Sequence, residues 1–357
     1  MGLKQGPPLR ASHPKTPAPG TAVPVADGIR WIRMPLPFAL NHVNLWLLQD
    51  REGWAIVDTG YGIPEAQEHW NSVLQDLGQP ITQILVTHCH PDHVGLAAWL
   101  QECTGAPVTM TLGEFYGAQL FWHGSGRSWK QDALEQFRLH GLGQDWLEAI
   151  QADHDSYRGG VPALPRHFQR MMEGDRLDIG GRSWTVHVGH GHSPEHAGLH
   201  CEESGVFISG DLVLPTITTN ISVPAVSPKD DPLARYLASL DRFRSIPDET
   251  LVLPSHGRPF LGLHQRLDAL GHHHADRLQV LEAACQEARP AADILGDLFD
   301  RQLDSHQIIF AMGEAIAHLN HLECQGRLSS RLGSDGIIRF QSRPPGSTGR
   351  AKMIALP

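Results

Sequence analysis

The stretch Thr87-His88-Cys89-His90-Pro91-Asp92-His93 follows the apolar run Ile84-Leu85-Val86 and precedes a segment with the character of a helix. A strand that ends in a tight turn aims alternate side chains at one point, so the first two histidines can reach one metal ion. The aspartate and the last histidine fall on the next turn, where they can face a second ion. Imidazole nitrogen with carboxylate oxygen suits borderline cations such as zinc. Although 23 of the 357 residues are histidine, the strand, turn and helix around this run favour a metal site over chance.

Further imidazoles and carboxylates lie at the ends of other predicted strands. Val188–His196, with the sequence VGHGHSPEH, ends an alternating strand, and Val206–Asp211 (VFISGD) is an apolar strand that stops at a carboxylate. Leu251–Gly257 (LVLPSHG) stops at an imidazole, and Ala55–Gly60 (AIVDTG) stops at an Asp-Thr-Gly turn. The first cluster therefore has downstream partners in a fixed order along the chain.

This ordered series of motifs (H-x-H-x-D-H, G-H-S-P, a strand ending in G-D, and S-H-G) resembles the metallo-β-lactamase superfamily over roughly residues 25–262. The resemblance implies an αβ/βα four-layer sandwich, whereas periodicity alone indicates only an α/β class. It also implies two divalent metal ions, zinc first, with iron or manganese as alternatives. One ion would be held by His88, His90 and His192. The other would be held by Asp92, His93 and His256, with Asp211 bridging both.

Other polar residues near these motifs are candidates for supporting roles. Asp58 is expected to orient a ligand or the turn, because metal-bound histidines usually need such partners. Two interpretations of His196 stay open: it donates a proton to a leaving group, or it packs against or orients a ligand. His42 and Asn44 precede a strand and are candidates for the rim of the pocket. His190 is expected to face away from the metals.

Composition limits the class of protein. The hydrophobic content of 41% is typical of a globular protein, and the chain has no run of about eighteen apolar residues, so we expect no membrane span. The five cysteines are scattered without a CxxC pair, which favours a reducing, cytoplasmic location. The net charge of −10 does not indicate bulk attraction to nucleic acid or anionic lipid.

The pattern along the chain predicts four segments. Residues 1–22 are expected to be a flexible Pro-rich tail, 23–262 a catalytic domain, 263–345 a winged-helix-like domain and 346–357 a second flexible tail. Within the catalytic domain, Gly28–Met34 is predicted as an edge strand and Pro64–Leu77 as a helix stopped by Gly78. An aromatic-rich helical insertion at 113–166 is either an extra layer with its own aromatic core or a cover over the metal site.

Past His256 the pattern changes to helices, predicted at Ala275–Ala288, Pro290–Leu303 and Ser305–Gln325, followed by a β-hairpin. This arrangement resembles the winged-helix tail of LACTB-2-like hydrolases of the same superfamily. The third helix has few lysines and arginines, so we expect no DNA binding and favour a docking or lid role.

The chemistry that the resemblance implies is hydrolysis. A hydroxide bridging two metal ions would attack a small-molecule ester, thioester or lactone, while Asp92 orients the nucleophile and accepts a proton. Glyoxalase II-like thioesterases share the bridging aspartate, whereas true class B β-lactamases lack it. Three alternatives stay open: an RNA phosphodiester hydrolase, a mononuclear iron persulfide dioxygenase that uses His88, His192 and Asp211, and a non-catalytic winged-helix interaction protein. A homo-oligomer is possible.

Overall fold

A computed structural model of the chain describes residues 9–13, 15–124, 128–152, 156–299 and 302–344. The predicted tail at 346–357 lies outside them. The strands are β1 (Arg10–Ala11), β2 (Ala22–Ala26), β3 (Ile29–Pro35), β4 (His42–Gln49), β5 (Trp54–Val57), β6 (Ile81–Leu85), β7 (Val108–Met110), β8 (Gln169–Arg170), β9 (Arg176–Ile179), β10 (Arg182–Gly189), β11 (His196–Cys201), β12 (Val206–Gly210), β13 (Leu251–Pro254), β14 (Phe260–Leu261), β15 (Leu328–Leu332) and β16 (Ile338–Ser342). The helices are α1 (Pro64–Leu77), α2 (Pro91–Val94), α3 (Ala97–Thr104), α4 (Leu112–His123), α5 (Trp129–Leu139), α6 (Gln144–Ala152), α7 (Ser156–Gly160), α8 (Pro232–Phe243), α9 (Leu263–Ala284), α10 (Leu295–Leu298) and α11 (Ser305–Cys324), with a 3-10 turn at Ala292–Ile294.

Two seven-stranded sheets form the centre of the molecule. The first has the order β2-β3-β4-β5-β6-β7-β8, and the second has the order β1-β14-β13-β12-β11-β10-β9. Their facing sides share a buried core that includes Trp31, Trp46 and Trp184. Helices α1, α3 and α4 pack on the outside of the first sheet, and α8, α9 and α11 pack on the outside of the second. The predicted four-layer αβ/βα sandwich is confirmed.

In the first half of the chain, one local prediction from the sequence is confirmed and another is wrong. Helix α1 begins at Pro64 and ends at Gly78, which adopts a left-handed φ of 58° and donates its N–H to the carbonyl of Leu74. Strand β3 was predicted as an edge strand, and this prediction is wrong, because β2 pairs with it on the outer side.

The amino-terminal segment also departs from the prediction of a flexible tail. Within 1–22, β1 pairs with β14 in the second sheet, with Arg10 opposite Leu261 and Ala11 opposite Phe260. The Ser12 amide continues this pairing by donating to the carbonyl of Pro259. An uncovered β14 would leave a row of unpaired backbone groups at the sheet edge, and β1 covers it.

The carboxy-terminal unit consists of α9, the 3-10 turn, α10, α11 and the β15–β16 hairpin. Arg289 and Phe340 exchange two backbone hydrogen bonds of 3.0 and 2.8 Å, an isolated β-bridge on the outer side of the hairpin. Within the described residues, the helix predicted at Pro290–Leu303 is reduced to the 3-10 turn and α10, and Phe299 ends α10 with an extended backbone. Helix α9 begins twelve residues earlier than predicted. No helix among the described residues is long and apolar enough to cross a membrane.

The insertion at 113–166 contributes to two cores. Phe121 and Trp122 of α4 and Trp129 of α5 pack against the core outside the first sheet. Phe137 of α5 and Ile150 of α6 join the core that contains α9 and α11. These five residues agree with the interpretation as an extra packed layer, whereas Tyr116 and Trp146 of the insertion are exposed.

Two glycines within helices provide a matched test of how closely α11 packs against the segment that carries Ser222. A methyl group at Gly313 of α11 would overlap the side chain of Ser222, whereas a methyl group at Gly271 of α9 would meet nothing within 4 Å. We expect Gly313→Ala to lower the free energy of unfolding by about 1–3 kcal/mol through overpacking. Gly271→Ala is expected to raise it by about 0.5–1 kcal/mol, because alanine favours helix over glycine. Urea denaturation measures the free energy of unfolding of both variants. Equal changes in the two variants would contradict the close packing of α11 against Ser222.

Candidate metal centre

Two loops, one from each sheet, bring three histidines together. His88 and His90 follow β6 in the first sheet, and His192 follows β10 in the second. The Nε2 atom of His88 lies 3.0 Å from Nδ1 of His90 and 3.2 Å from Nε2 of His192. These three nitrogens converge on one point and can hold one cation. We call them the three-histidine subsite.

A second group lies beside the first. The Oδ2 atom of Asp92 is 3.4 Å from Nε2 of His93 and 3.3 Å from Nε2 of His256. Asp211 stands between the groups, with Oδ2 3.6 Å from Nε2 of His192 and 3.5 Å from Nε2 of His256. The structure therefore brings all seven predicted ligands into one cluster, with Asp211 in the bridging position. We call Asp92, His93 and His256 the mixed subsite.

Each of four imidazoles has a hydrogen-bond partner behind it, on the side away from the cluster. Nδ1 of His93 lies 2.8 Å from the Asp58 carboxylate, and Nδ1 of His88 lies 3.0 Å from the Thr87 hydroxyl. Nδ1 of His192 lies 2.8 Å from the Asn220 carbonyl, and Nδ1 of His256 lies 2.9 Å from the His42 carbonyl. The carboxylate and the carbonyls can only accept, so those Nδ1 atoms carry the proton. In the neutral ring the Nε2 lone pair then points into the cluster, as metal binding requires.

Two atoms of the cluster, which lie 3.7 Å from each other, make no hydrogen bond among the described residues. They are Nε2 of His93 and Oδ1 of Asp211, and both are buried. A buried polar atom left unsatisfied costs about 1–3 kcal/mol. A cation held between the two groups satisfies both atoms, so this donor set fits two metal ions.

The electrostatics of the two subsites differ. Burial lowers the pKa of His90 to about 3 and also lowers the pKa of His88 and His192, so these three ligands are neutral. In the mixed subsite, burial alone would lower the pKa of His256, but Asp211 and Asp92 raise it to about 10. Burial would likewise raise the pKa of Asp211, but His256 and His93 hold it below its usual range. The carboxylates thus remain charged in the interior.

Asp58 lies behind the ligands and uses both oxygens there. It accepts from the Thr87 amide at 2.8 Å and from the Thr87 hydroxyl at 2.8 and 3.0 Å, as well as contacting His93. Its backbone is left-handed, with φ of 62°, which aspartate tolerates better than most residues. One carboxylate therefore orients His93 directly and His88 through the Thr87 hydroxyl.

His196 and His190 both lie outside the two subsites. His196 is fully buried, accepts the Asp211 amide at Nε2 over 3.1 Å and stacks on the His88 ring at 4.6 Å. Of its two predicted roles, this geometry agrees with packing and orienting a ligand. His190 faces away, and its Nδ1 lies 2.7 Å from the Pro194 carbonyl.

Asn44 and His42 are not simply residues of a pocket rim. Asn44 is fully buried and its amide donates to the carbonyls of Pro254 and Gly257 at 2.8 and 2.9 Å, so the predicted rim position is wrong for it. Because Asn44 belongs to the first sheet, these bonds hold the loop that carries His256 in the second sheet. His42 is half-buried and accepts the Gly257 amide at Nε2 over 3.1 Å.

Three contributors were missed by the sequence analysis. Thr87 directly precedes His88 in the sequence, and this adjacency could have indicated that it contacts the histidine. Asn220 contributes a backbone carbonyl, for which sequence gives no signal. Glu114 lies on α4 and is buried between the two loops that carry the three-histidine subsite. Its distance along the chain from both loops hides it from local pattern reading.

Family models match most of the chain. The metallo-beta-lactamase superfamily model matches residues 39–256, and the metallo-beta-lactamase-like C-terminal domain model matches residues 278–343. The chain belongs to the metallo-beta-lactamase superfamily. It is therefore a member of a family of hydrolases, and its histidine and aspartate cluster could bind the divalent metals that this family uses.

Known relatives match between 66% and 94% of this chain. A crystal structure of a beta-lactamase domain protein from Burkholderia ambifaria is 43% identical, with a TM-score of 0.87, and the match covers 94% of this chain and 98% of that one. The probable metallo-hydrolase YqjP of Bacillus subtilis is 26% identical over 84% of this chain and 93% of its own length. The acyl-coenzyme A thioesterase MBLAC2 of Gallus gallus is 23% identical over 66% of this chain and 80% of its own.

We expect Asp58→Asn to weaken metal binding by about 10–100-fold, the usual effect of removing a partner behind a metal ligand. Asparagine tolerates the left-handed backbone, so the change isolates the loss of a carboxylate oxygen behind His93. Metal content after equilibration with a series of competing chelators measures the affinity.

The control for that experiment is Asp50→Asn, which alters a surface carboxylate that accepts from Thr82 and the Gly180 amide at 2.7 and 2.9 Å. Equal metal retention in the Asp58 and Asp50 variants would show that Asp58 does not act on the ligands.

Proposed function

We propose that this protein is a two-metal hydrolase of small-molecule thioesters, esters or lactones, with thioesters as the first class to test. The observation that carries the proposal is the pair of adjacent ligand groups with Asp211 between them. Support for an acyl substrate comes from MBLAC2, a relative whose name gives acyl-coenzyme A thioester hydrolysis.

The residues of the cluster differ in burial, and this difference indicates the side from which substrate approaches. His88 and His93 are fully buried, whereas His90, Asp92 and His192 are partly exposed, so substrate approaches the cluster from their side. Two divalent ions bound there would supply a water molecule of lowered pKa and polarise the scissile carbonyl. The Asp92 side chain is 19% exposed. We assign it to orient the attacking water and to accept its proton.

The carboxy-terminal unit supports a small-molecule substrate over nucleic acid. In a winged helix, the helix before the hairpin is the one that would enter a groove, and here that helix is α11. Its polar residues His318, Asn320 and His321 are at most 6% exposed. Asn320 donates to the carbonyls of Pro228 and Asp230, each at 3.0 Å. These side chains are buried, so they are not available to contact bases or phosphates.

A mononuclear iron dioxygenase remains the second candidate. It would use His88, His192 and Asp211, and it would not require the mixed subsite. The completeness of that second group, with Nδ1 of His93 and His256 each held from behind, favours the two-metal hydrolase.

Metal analysis with a substrate panel tests the proposal. We expect about two metal ions per chain in protein purified without added metal, and turnover of a thioester, an oxyester or a lactone. Chelator treatment is expected to abolish the activity, and His90→Ala or Asp211→Asn to lower kcat/KM by at least about 10²-fold, as for loss of a group acting in the transition state. His200→Gln is the control, because His200 lies on β11 outside the cluster.

One iron per chain with oxygen uptake on a persulfide would instead establish the dioxygenase. Turnover of a phosphodiester without turnover of any acyl substrate would overturn the choice of substrate class.

We also expect no measurable affinity for duplex DNA or RNA. Non-specific binding by basic proteins has dissociation constants of about 10⁻⁴ to 10⁻⁶ M at physiological salt, and a chain with net charge −10 and a buried α11 should bind more weakly. Fluorescence anisotropy at two salt concentrations measures this. Salt-dependent binding tighter than about 10⁻⁴ M would show that a basic surface was overlooked.

A further inference from the structure

The three-histidine subsite is assembled from two loops that have no covalent connection near the site. His88 and His90 lie on the loop after β6 in the first sheet, and His192 lies on the loop after β10 in the second. Their nitrogens must stay about 3 Å apart for one cation to reach all three. A group that bonds to both loops would fix this spacing before metal binds.

Glu114 is such a group. Its Oε2 atom accepts the amide of Cys89, the residue between the two ligands of the first loop, at 2.8 Å. Its Oε1 atom accepts the hydroxyl of Ser193 at 2.7 Å and the amide of Glu195 at 2.6 Å, both on the second loop. Each oxygen thus serves one half of the sandwich. The side chain is fully buried and does not itself reach the cluster of ligands.

The second loop also forms hydrogen bonds with the start of α4, the helix that carries Glu114. The Glu195 carboxylate accepts the Gly113 amide at 2.8 Å, near the start of α4, and the Thr111 hydroxyl donates to the Glu195 carbonyl at 2.8 Å. The first loop is held from a further side, because the Tyr157 hydroxyl donates to the Cys89 carbonyl at 2.8 Å. The start of the insertion is therefore locked to both ligand loops.

We propose that Glu114 is a positioning residue that joins the two ligand loops and sets the metal affinity of the three-histidine subsite. The Cys89 amide, the Ser193 hydroxyl and the Glu195 amide all donate to Glu114, so the site requires a group that accepts at both ends, which an ionised carboxylate does. Glutamine of the same shape has one accepting oxygen and one NH2 group. In Glu114→Gln the NH2 group must face a donor on one loop, and that loop is released.

This inference rests on the proposed metal centre but is tested without substrate. We expect Glu114→Gln to weaken metal binding at the three-histidine subsite by about 10–100-fold, as is usual for groups that orient ligands. Isothermal titration of chelator-treated full-length protein with Zn²⁺ measures the affinity. Absorption of the Co²⁺-loaded protein identifies the subsite, because the Glu114→Gln spectrum should shift toward that of His90→Ala.

Glu323→Gln is the matched control. Glu323, in the last turn of α11, accepts the Ser330 amide at 2.9 Å and the Ser330 hydroxyl at 2.6 Å, a similar pair of donors. Its other oxygen accepts from Lys229 at 3.3 Å, and the residue lies outside the metal cluster. A purely structural role for Glu114 predicts that both variants lose stability and retain wild-type metal affinity. That result would overturn the proposal.

Ser193→Ala provides a second test should the Glu114 variant not fold. It removes one donor from Oε1 and leaves the carboxylate in place, so we expect a smaller loss of affinity at the same subsite. Unchanged affinity in Ser193→Ala would then overturn the proposal. A wild-type protein that binds no metal would refute the proposed function and this inference together, whereas two tight sites unaffected by Glu114→Gln would refute the inference alone.

Discussion

The rest of the structure depends on one constraint: imidazoles and carboxylates from two sheets must meet in the protein interior. Burial of charged groups is costly unless they are paired, and here the Asp92 and Asp211 carboxylates lie among His93, His192 and His256. The cluster also leaves Nε2 of His93 and Oδ1 of Asp211 unsatisfied. Surrounding groups hold this arrangement, and a cation bound there would balance its charges and satisfy these atoms.

The surrounding groups act across the junction of the two sheets. Asn44 extends from the first sheet and binds the loop that carries His256, while Glu114 binds the loops that carry His88 and His192. The Ala197 amide adds a direct backbone link to the Thr87 carbonyl at 2.9 Å. The outer face of the cluster is thus fixed by hydrogen bonds whose partners are far apart in sequence. This is the arrangement expected of a site whose ligands must be in place before metal binds.

The sequence predicted the parts of the molecule that have local causes. The H-x-H-x-D-H spacing and the apolar strands before each ligand lead to the correct superfamily and to the seven side chains that converge. The αL glycine at Gly78 likewise ends α1 where expected. Asn44, Glu114 and β1 were misjudged or missed because their partners lie many residues away, so no window of sequence contains the contact. The early start of α9 has a related cause, because His274 is 1% exposed and its Nδ1 lies 3.1 Å from Nε2 of His318 on α11, a contact between residues 44 positions apart.

The same contacts explain why a carboxy-terminal unit with the order of a winged helix is attached to this site. Gly313 lets α11 approach Ser222, which is two residues from the Asn220 carbonyl that orients His192. On α9, Arg266 is 3% exposed and its guanidinium donates to the carbonyls of Leu214 and Ile217, in the segment that follows Asp211. Both helices therefore support the stretch of chain between Asp211 and Asn220, whose carbonyl contacts His192. The contacts that bury α11 are thus also contacts that support the cluster of predicted metal ligands.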